Sequence, residues 1–596
     1  MKEVSSRNIK LTDGFWKKRQ DIVKNVTIKS VYDRFFDTGR VEAFEMKWKK
    51  GDKNQPHIFW DSDIAKWIEG VALFDSITPE NEEKIEHLID LIEKGQEESG
   101  YFNIYFTVVE PEKRFQIRTD HELYCAGHLM EAAVEYYRLT GKDRFLKVMC
   151  KYADHIEKVF KIDRSAAFVT PGHEEIELAL VKLYSVTGEK RYLELSKFFI
   201  DERGKTIEHT YGGFTDGLYD QCFLPVREQE TAEGHCVRAC YLYSGMADIA
   251  RIYDDKELRN ACEMIFEDIV NHKMYITGGI GSTHMGEAFT IPYDLPNRTA
   301  YTETCAAISL AFFAHRLQLI EPKAIYAEVI EKVIYNGFLS GISLDGKSFF
   351  YENPLEIIPK LRERDVCMKE KPHSPITERL EVFGCSCCPP NVIRFVAAVG
   401  ENVYTYDENT VFVHQFMSGE AVFDGMKITQ ETDYPLSGKV TIKYEGPAKT
   451  LAVRVPSFCE DIENEKGYVY FDVEDGMTTE IDFGSTVYFV ESNPLVYENC
   501  GRCAVMRGPV VYCAEEKDNG KCLRDICIDS SAEIREEYDE NYSLPVIYLK
   551  GTRRKKNHSL YYKKSDERDE VTVKMIPYFA FANRGESEML VWIQAK

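Results

Sequence analysis

The chain has 596 residues, more than one ordinary core accommodates, so two or three domains are expected. Its 44% hydrophobic and 29% charged residues are the composition of a globular protein, and no run of about 18 apolar residues marks a membrane span. The 99 acidic against 75 basic residues give a net charge of −24, which sets the surface against nucleic acid and acidic membranes and favours neutral or cationic ligands.

The N-terminus, Met-Lys-Glu-Val-Ser-Ser-Arg-Asn, lacks the apolar stretch of a signal peptide. The 17 cysteines are odd in number and scattered. That pattern is expected of a reducing cytoplasm with most thiols free, not of a secreted disulfide framework. Clustered cysteines then become candidates for metal binding or chemistry.

Up to about residue 400 the pattern is helical and repeats. Tyr137-Arg-Leu-Thr-Gly141-Lys-Asp-Arg-Phe145 resembles Tyr184-Ser-Val-Thr-Gly188-Glu-Lys-Arg-Tyr192, and a degenerate copy starts at Arg251. Each reads as a helix, a glycine or aspartate C-cap, and a second helix. Six segments read as the buried helices of such hairpins: those opening at Trp60, Gly127, Gly172, Gly234, Glu303 and Pro390. Each begins polar and continues small and apolar. Run in parallel, they gather their polar starts at one end of an (α/α)6 toroid. An α-solenoid is the competing architecture and would not converge them.

Three histidines follow a glycine at these starts: His128, His173 and His235. A lone histidine there is ordinarily a cap or core residue. Three in equivalent positions point to a shared site, where neutral imidazoles offer a donor and an acceptor to sugar hydroxyls. The Gly-rich loop Thr277–Phe289 lacks the preceding strand and the Lys-Ser/Thr of a phosphate cradle. It reads instead as a loop at the barrel mouth carrying one acid, Glu287, either a general acid or an exposed carboxylate.

The densest chemical signal is Gly384-Cys-Ser-Cys-Cys-Pro-Pro-Asn391. Prolines suit a helix first turn, and thiols just before a helix feel its positive end. Glu303-Thr-Cys305 opens another inner helix. One carboxylate and three sulfurs make a natural set for tetrahedral zinc, with a vicinal disulfide or plain buried thiols as the alternatives. After residue 400, Thr410–Phe416, Lys439–Tyr444, Leu451–Val455, Gly467–Phe471, Pro509–Cys513 and Met589–Ile593 alternate with period two, the pattern of one or two β-sandwiches.

These motifs resemble glycoside hydrolase family 127, the β-L-arabinofuranosidase family. The segments that carry the likeness are Cys387-Cys-Pro-Pro-Asn391, Glu303-Thr-Cys305, Gly278-Gly-Ile-Gly…Gly286-Glu-Ala-Phe289, His121-Glu-Leu-Tyr-Cys-Ala-Gly-His128 and Arg507-Gly-Pro-Val-Val-Tyr512. They run in family order from about Asn8 to the final strand. The resemblance implies an (α/α)6 barrel over residues 15–400. It implies a first β-sandwich over 401–500, joined by residues 1–14 and the strand at about 575–596, and a second over 501–574. It also implies a zinc ion (Zn2+) on Glu303, Cys305, Cys387 and Cys388, with Cys387 as nucleophile and Glu287 as acid/base. His128, His173, His235, Glu331 and Tyr351 would contact the sugar, Cys385 is a competing ligand, and a homodimer is expected. The expected activity is a retaining exo-β-L-arabinofuranosidase acting on a small glycoside or oligosaccharide. Alternatives are a relative cutting another furanose or an acidic deoxy-sugar, a non-catalytic carbohydrate- or metal-binding protein, and a sugar epimerase or lyase.

Overall fold

Asp13 begins the helical part by accepting the Gly14 N–H at 2.7 Å, a side-chain cap on an otherwise orphan donor. The computed structural model describes residues 1–206, 216–361, 377–555 and 559–596. From Gly14 to Ala397 two kinds of helix alternate. Gly14–Ile22, Ile28–Asp37, Pro79–Gly95, Arg144–Ile156, Lys190–Glu202, Lys256–Asp268 and Ala324–Lys332 bury one stripe each. In Pro79–Gly95 the buried residues are Ile85, Leu88, Ile89 and Ile92, the spacing of a surface helix.

Trp60–Ala72, Glu122–Thr140, Ile176–Thr187, Cys236–Tyr253, Thr304–Ile320 and Cys388–Ala397 are buried almost all round. The Trp60 helix packs on the Glu122 helix, and this on the Ile176 helix. The contacts then pass to Cys236–Tyr253, Thr304–Ile320 and Cys388–Ala397, which packs back on Trp60–Ala72. The hairpin turns lie where the repeat placed them: Gly141, Gly188 and Asp254 have φ of 72°, 71° and 53° and cap three of these helices. Two helix starts differ clearly from the sequence reading. The second inner helix begins at Glu122, so Gly127 and His128 lie inside it. The third begins at Ile176, so Gly172 and His173 precede it.

After residue 400 the chain is β-rich. One five-stranded sheet holds Lys2–Glu3, Tyr404–Tyr406, Thr410–Val413, Thr450–Arg454 and Tyr468–Asp472. A second holds Ile9–Leu11, Gly419–Phe423, Met426–Thr432, Lys439–Glu445 and Thr478–Asp482. The N-terminal residues thus pair with strands of the first β unit. The C-terminal strands do not. Cys503 pairs with Ile593, Ala514 with Leu590, and Leu590 with Glu356. Residues 575–596 therefore build the third sheet together with Val487–Val490 and with Glu356–Ile357 from the helical part, not the first sandwich. Among the described residues no helix is long and apolar enough to cross a membrane.

Candidate active site

The residues at the N-caps of the six buried helices are Phe59, His121, Glu175, His235, Glu303 and Cys387. All but Glu175 line one cavity of about 290 Å³, with Ser62, Tyr124, His173, Tyr219, Arg238, Glu287, Cys305, Tyr351 and Cys385 among its other walls. Converging helix starts bring orphan N–H groups and the positive ends of helix dipoles to one place, a setting that favours anionic side chains.

Sulfur dominates one wall. Cys305 Sγ lies 3.6 Å from Cys387 Sγ and 3.4 Å from Cys388 Sγ, and the latter two are 3.7 Å apart. Glu303 Oε1 is 3.6 Å from Cys387 Sγ and 4.0 Å from Cys388 Sγ. A tetrahedral zinc with Zn–S bonds of about 2.3 Å separates its sulfurs by about 3.8 Å, so the donor set fits that ion. Glu303 Oε2, buried and without a hydrogen-bond partner among the described residues, is a further mark of a charged group to be bound there. Cys385 lies on the cavity wall 3.9 Å from the Tyr351 hydroxyl and outside the four-donor set. Hydrogen bonds from the Cys305, Cys385 and Cys388 thiols hold the Cys387 thiol well below its ordinary value, against the effect of burial. Burial first, then the charges of Cys387 and Glu287, push Glu303 well above its own.

The cysteine loop is clamped from the Trp60 helix. Arg40 donates Nη2–H bonds to the Phe383 and Gly384 carbonyls, both at 3.0 Å, and its Nε–H meets Asp63 at 2.9 Å. Tyr351 is pinned beside Glu303 by its neighbours: Thr304 N–H donates to the Tyr351 carbonyl at 3.0 Å, and Asn353 donates to Thr302 O and Thr304 Oγ1. The Tyr351 hydroxyl then sits 3.6 Å from Cys387 Sγ.

Glu287 reaches the site from the Gly-rich loop. Phe289 N–H bonds the Gly234 carbonyl at 2.9 Å and Ala288 bridges His235, which lays Glu287 Oε2 2.9 Å from His235 Nε2. Gly286 and Glu287 both take positive φ, 69° and 56°. A carboxylate oxygen of Glu287 lies within 4.8 Å of one on Glu303. Beside Glu287 runs a histidine row, with ring centroids of His121 and His173 5.3 Å apart and those of His173 and His235 5.6 Å apart. Burial pushes all three imidazoles down, His121 to about 3, so they present neutral rings.

Of the expected sugar contacts, His173, His235 and Tyr351 line the cavity and two do not. His128 is fully buried beneath Tyr124, its Nδ1 3.1 Å from Glu175 and 3.6 Å from Glu131. The helix starts earlier than Gly127 implied, and His121 at its cap takes the wall position instead. Glu331 lies on an outer helix, where Arg454 Nη2–H and the Tyr434 hydroxyl each donate to it at 2.6 Å; it joins the helical part to the first β unit. Tyr124 and His121, like Phe59, Ser62, Tyr219 and Arg238, line the cavity without having been candidates from the sequence. The acid Glu122 directly after His121, a first-turn charge, was the available signal for the first two.

A family model described as the β-L-arabinofuranosidase GH127 catalytic domain matches residues 8–401, and one described as the glycoside hydrolase family 127 C-terminal domain matches residues 487–594. The chain belongs to glycoside hydrolase family 127. Its relatives include the non-reducing end β-L-arabinofuranosidase of Bifidobacterium longum subsp. longum, 34% identical, covering 98% of this chain and 99% of that protein. Among solved structures, the GH127 β-L-arabinofuranosidase Ara127N of Geobacillus stearothermophilus T6 is 38% identical with a TM-score of 0.92, covering 99% and 100%. The GH127 β-arabinofuranosidase BT3674 is 32% identical with a TM-score of 0.89, covering 100% and 98%. This family 127 chain is accordingly a glycoside hydrolase, and its third sheet coincides with the matched C-terminal domain.

Proposed function

We propose that the chain is an exo-acting, zinc-dependent, retaining β-L-arabinofuranosidase, and that the ring of buried helices is an (α/α)6 barrel whose mouth holds the site. The observation that carries this reading is the meeting of an acid on the Gly-rich loop, Glu287, and a thiol of the cysteine cluster, Cys387, on a single cavity. The activities of the three relatives, two β-L-arabinofuranosidases and one β-arabinofuranosidase, support the sugar. Glu303, Cys305, Cys387 and Cys388 would hold the zinc, which when bound keeps thiols ionised at neutral pH and fixes their direction.

The residues divide the work as follows. The non-reducing-end sugar enters with its hydroxyls facing His121 and His173, whose neutral rings offer hydrogen-bonding nitrogens, beside His235, whose ring holds Glu287. Glu287 gives its proton to the glycosidic oxygen while Cys387 sulfur attacks the anomeric carbon. The carbon–oxygen bond breaks with its electron pair on the leaving oxygen, and a carbon–sulfur bond forms. In the second half, water attacks the same carbon, Glu287 takes the water's proton, and the pair of the carbon–sulfur bond returns to Cys387. Two inversions give net retention. Because three reduced cysteines are required, the enzyme works in a reducing compartment, the cytoplasm.

The test is a panel of aryl glycosides assayed with reducing agent, with and without a zinc chelator, alongside Cys387→Ser with its zinc content measured. Hydrolysis confined to the β-L-arabinofuranoside, lost on chelation and in the zinc-loaded variant, is the expected result. Turnover by zinc-loaded C387S near the parent rate would overturn the nucleophile, and cleavage of a different glycoside alone would overturn the sugar.

A further inference from the structure

Lys66 lies in the Trp60–Ala72 helix with 1% of its surface exposed. Its Nζ donates to the Tyr124 hydroxyl at 2.8 Å, and among the described residues no carboxylate lies within ion-pair distance of it. Of the other buried cations near the barrel axis, Arg40 pairs with Asp63 and Arg394 with Glu69 and Glu131, while Arg238 lines the cavity and donates to the Gly172 carbonyl. An unpaired ammonium in a protein interior is strongly unfavourable unless another charge compensates it.

The packing of two helices shows which charge that is. A Cβ on Gly70 would meet Ile393 Cγ2 at 2.7 Å and Arg394 N at 3.0 Å, so the Trp60 and Cys388 helices touch at that level. Near their starts, Asp63 reaches the Phe383–Gly384 carbonyls through Arg40. Both contacts together mean that the two helices run side by side in the same direction. Lys66 is one turn before Gly70, and one turn before Arg394 is Pro390, two residues beyond Cys388. Ser62, one turn earlier on the same face as Lys66, lines the cavity, as does Tyr124. Lys66 therefore stands just beneath the sulfur wall, with only Tyr124 bonded to it.

We propose that Lys66 is the buried counter-charge of the sulfur centre, a positioning residue that offsets the excess negative charge of a metal held by Glu303, Cys305, Cys387 and Cys388 and so favours its retention. A dication on three thiolates and one carboxylate carries two more negative than positive charges, and the inner helix starts supply only partial positive charge against them. Lys66 adds a full charge where water cannot screen it. Tyr124 spaces the ammonium from the sulfurs, so Lys66 acts on them without bonding them. The inference rests on the zinc reading proposed above.

The experiment measures zinc retention against a competing chelator for the parent enzyme, Lys66→Met, Lys66→Arg and Tyr124→Phe, with thermal melting of each zinc-loaded protein. K66M is expected to hold zinc about 10-fold or more weaker, the size of effect that neighbours of metal ligands have. K66R should recover most of that loss, and Y124F, which keeps the charge, should retain zinc nearly as the parent does. Parent-like retention in K66M, or an equal loss in Y124F, overturns the counter-charge. If K66M does not fold, Lys66→Gln is judged by the same criterion. A parent enzyme that binds no zinc at all would instead sink the metal reading, which separates the two failures.

Discussion

At Glu287, one carboxylate oxygen faces His235 Nε2 at 2.9 Å, while the Val237 N–H donates to His235 Nδ1 at 3.2 Å. An Nδ1 that accepts leaves the proton of a neutral ring on Nε2, so His235 donates to Glu287 and fixes its direction without supplying it a proton. One oxygen of Glu287 is thereby held against the His235 ring. Glu287→Gln should lower turnover by about 10² to 10⁴ on an alkyl glycoside, the usual contribution of a general acid. It should cost much less on a nitrophenyl glycoside, whose leaving group departs without a proton. Equal losses on both substrates, in a comparison of kcat/KM, would remove the acid role. His121 carries a pH prediction. Burial, with Arg238 and His235 nearby, pushes its pKa from 6.5 down to about 3. Below pH 6.5 the unfolded chain takes up a proton that the folded one refuses, so the stability held by the neutral ring is present above 6.5 and lost as pH falls towards 3. His121→Asn lacks that dependence. The melting-temperature advantage of the parent over H121N should therefore shrink between about pH 7 and 5, and a constant gap would show that His121 is protonated in the folded state.

Helices were the most legible elements, because their signals are local. Gly141, Gly188 and Asp254 stand where the repeat predicted C-caps, and each takes the left-handed conformation. Glu303 and Cys387 cap their helices as expected, which is why most of the sulfur wall could be read from spacing. His128 could not be placed the same way. Gly127 looked like a helix start, but its real reason is tertiary: a Cβ there would meet Glu175 Cγ at 2.7 Å and the Ile176 backbone at 3.1 Å. The glycine lets two inner helices touch, and no local pattern distinguishes that need from a cap. Gly127→Ala should accordingly destabilise the fold by about 1–3 kcal/mol, an overpacking cost, read as a lower urea midpoint. Since the Glu175 side chain and the row of buried imidazoles adjoin the displaced helix, KM should rise as well. An alanine variant as stable as the parent would mean that the helices separate freely at this level.

Between whole units the sequence is least informative, because sheet partners are non-local. Nothing near Ile593 names Cys503 as its neighbour, and the alternation of the last strands suits either β unit equally well. Glu331 is the same problem at one residue: a buried acid near a site in sequence order is easily taken for a sugar contact. Its oxygen instead receives Arg454 Nη2–H and the Tyr434 hydroxyl, with Glu328 3.1 Å from Arg454 Nη1. Arg454 belongs to a strand of the first β unit and is fully buried, and the same boundary is crossed by the Gln415 amide bonding the Ala327 carbonyl at 2.7 Å. Removing the Glu331 carboxylate leaves a buried guanidinium with one remaining carboxylate, and breaking one arm of a buried pair costs about 3–5 kcal/mol. Glu331→Ala should therefore lower the unfolding midpoint strongly and loosen the two units against each other, visible as faster proteolysis between residues 400 and 410. At a temperature where it stays folded, its KM for the aryl arabinofuranoside should match the parent's, because the cavity wall is untouched. A variant that keeps its stability and loses substrate affinity would place Glu331 back among the sugar contacts.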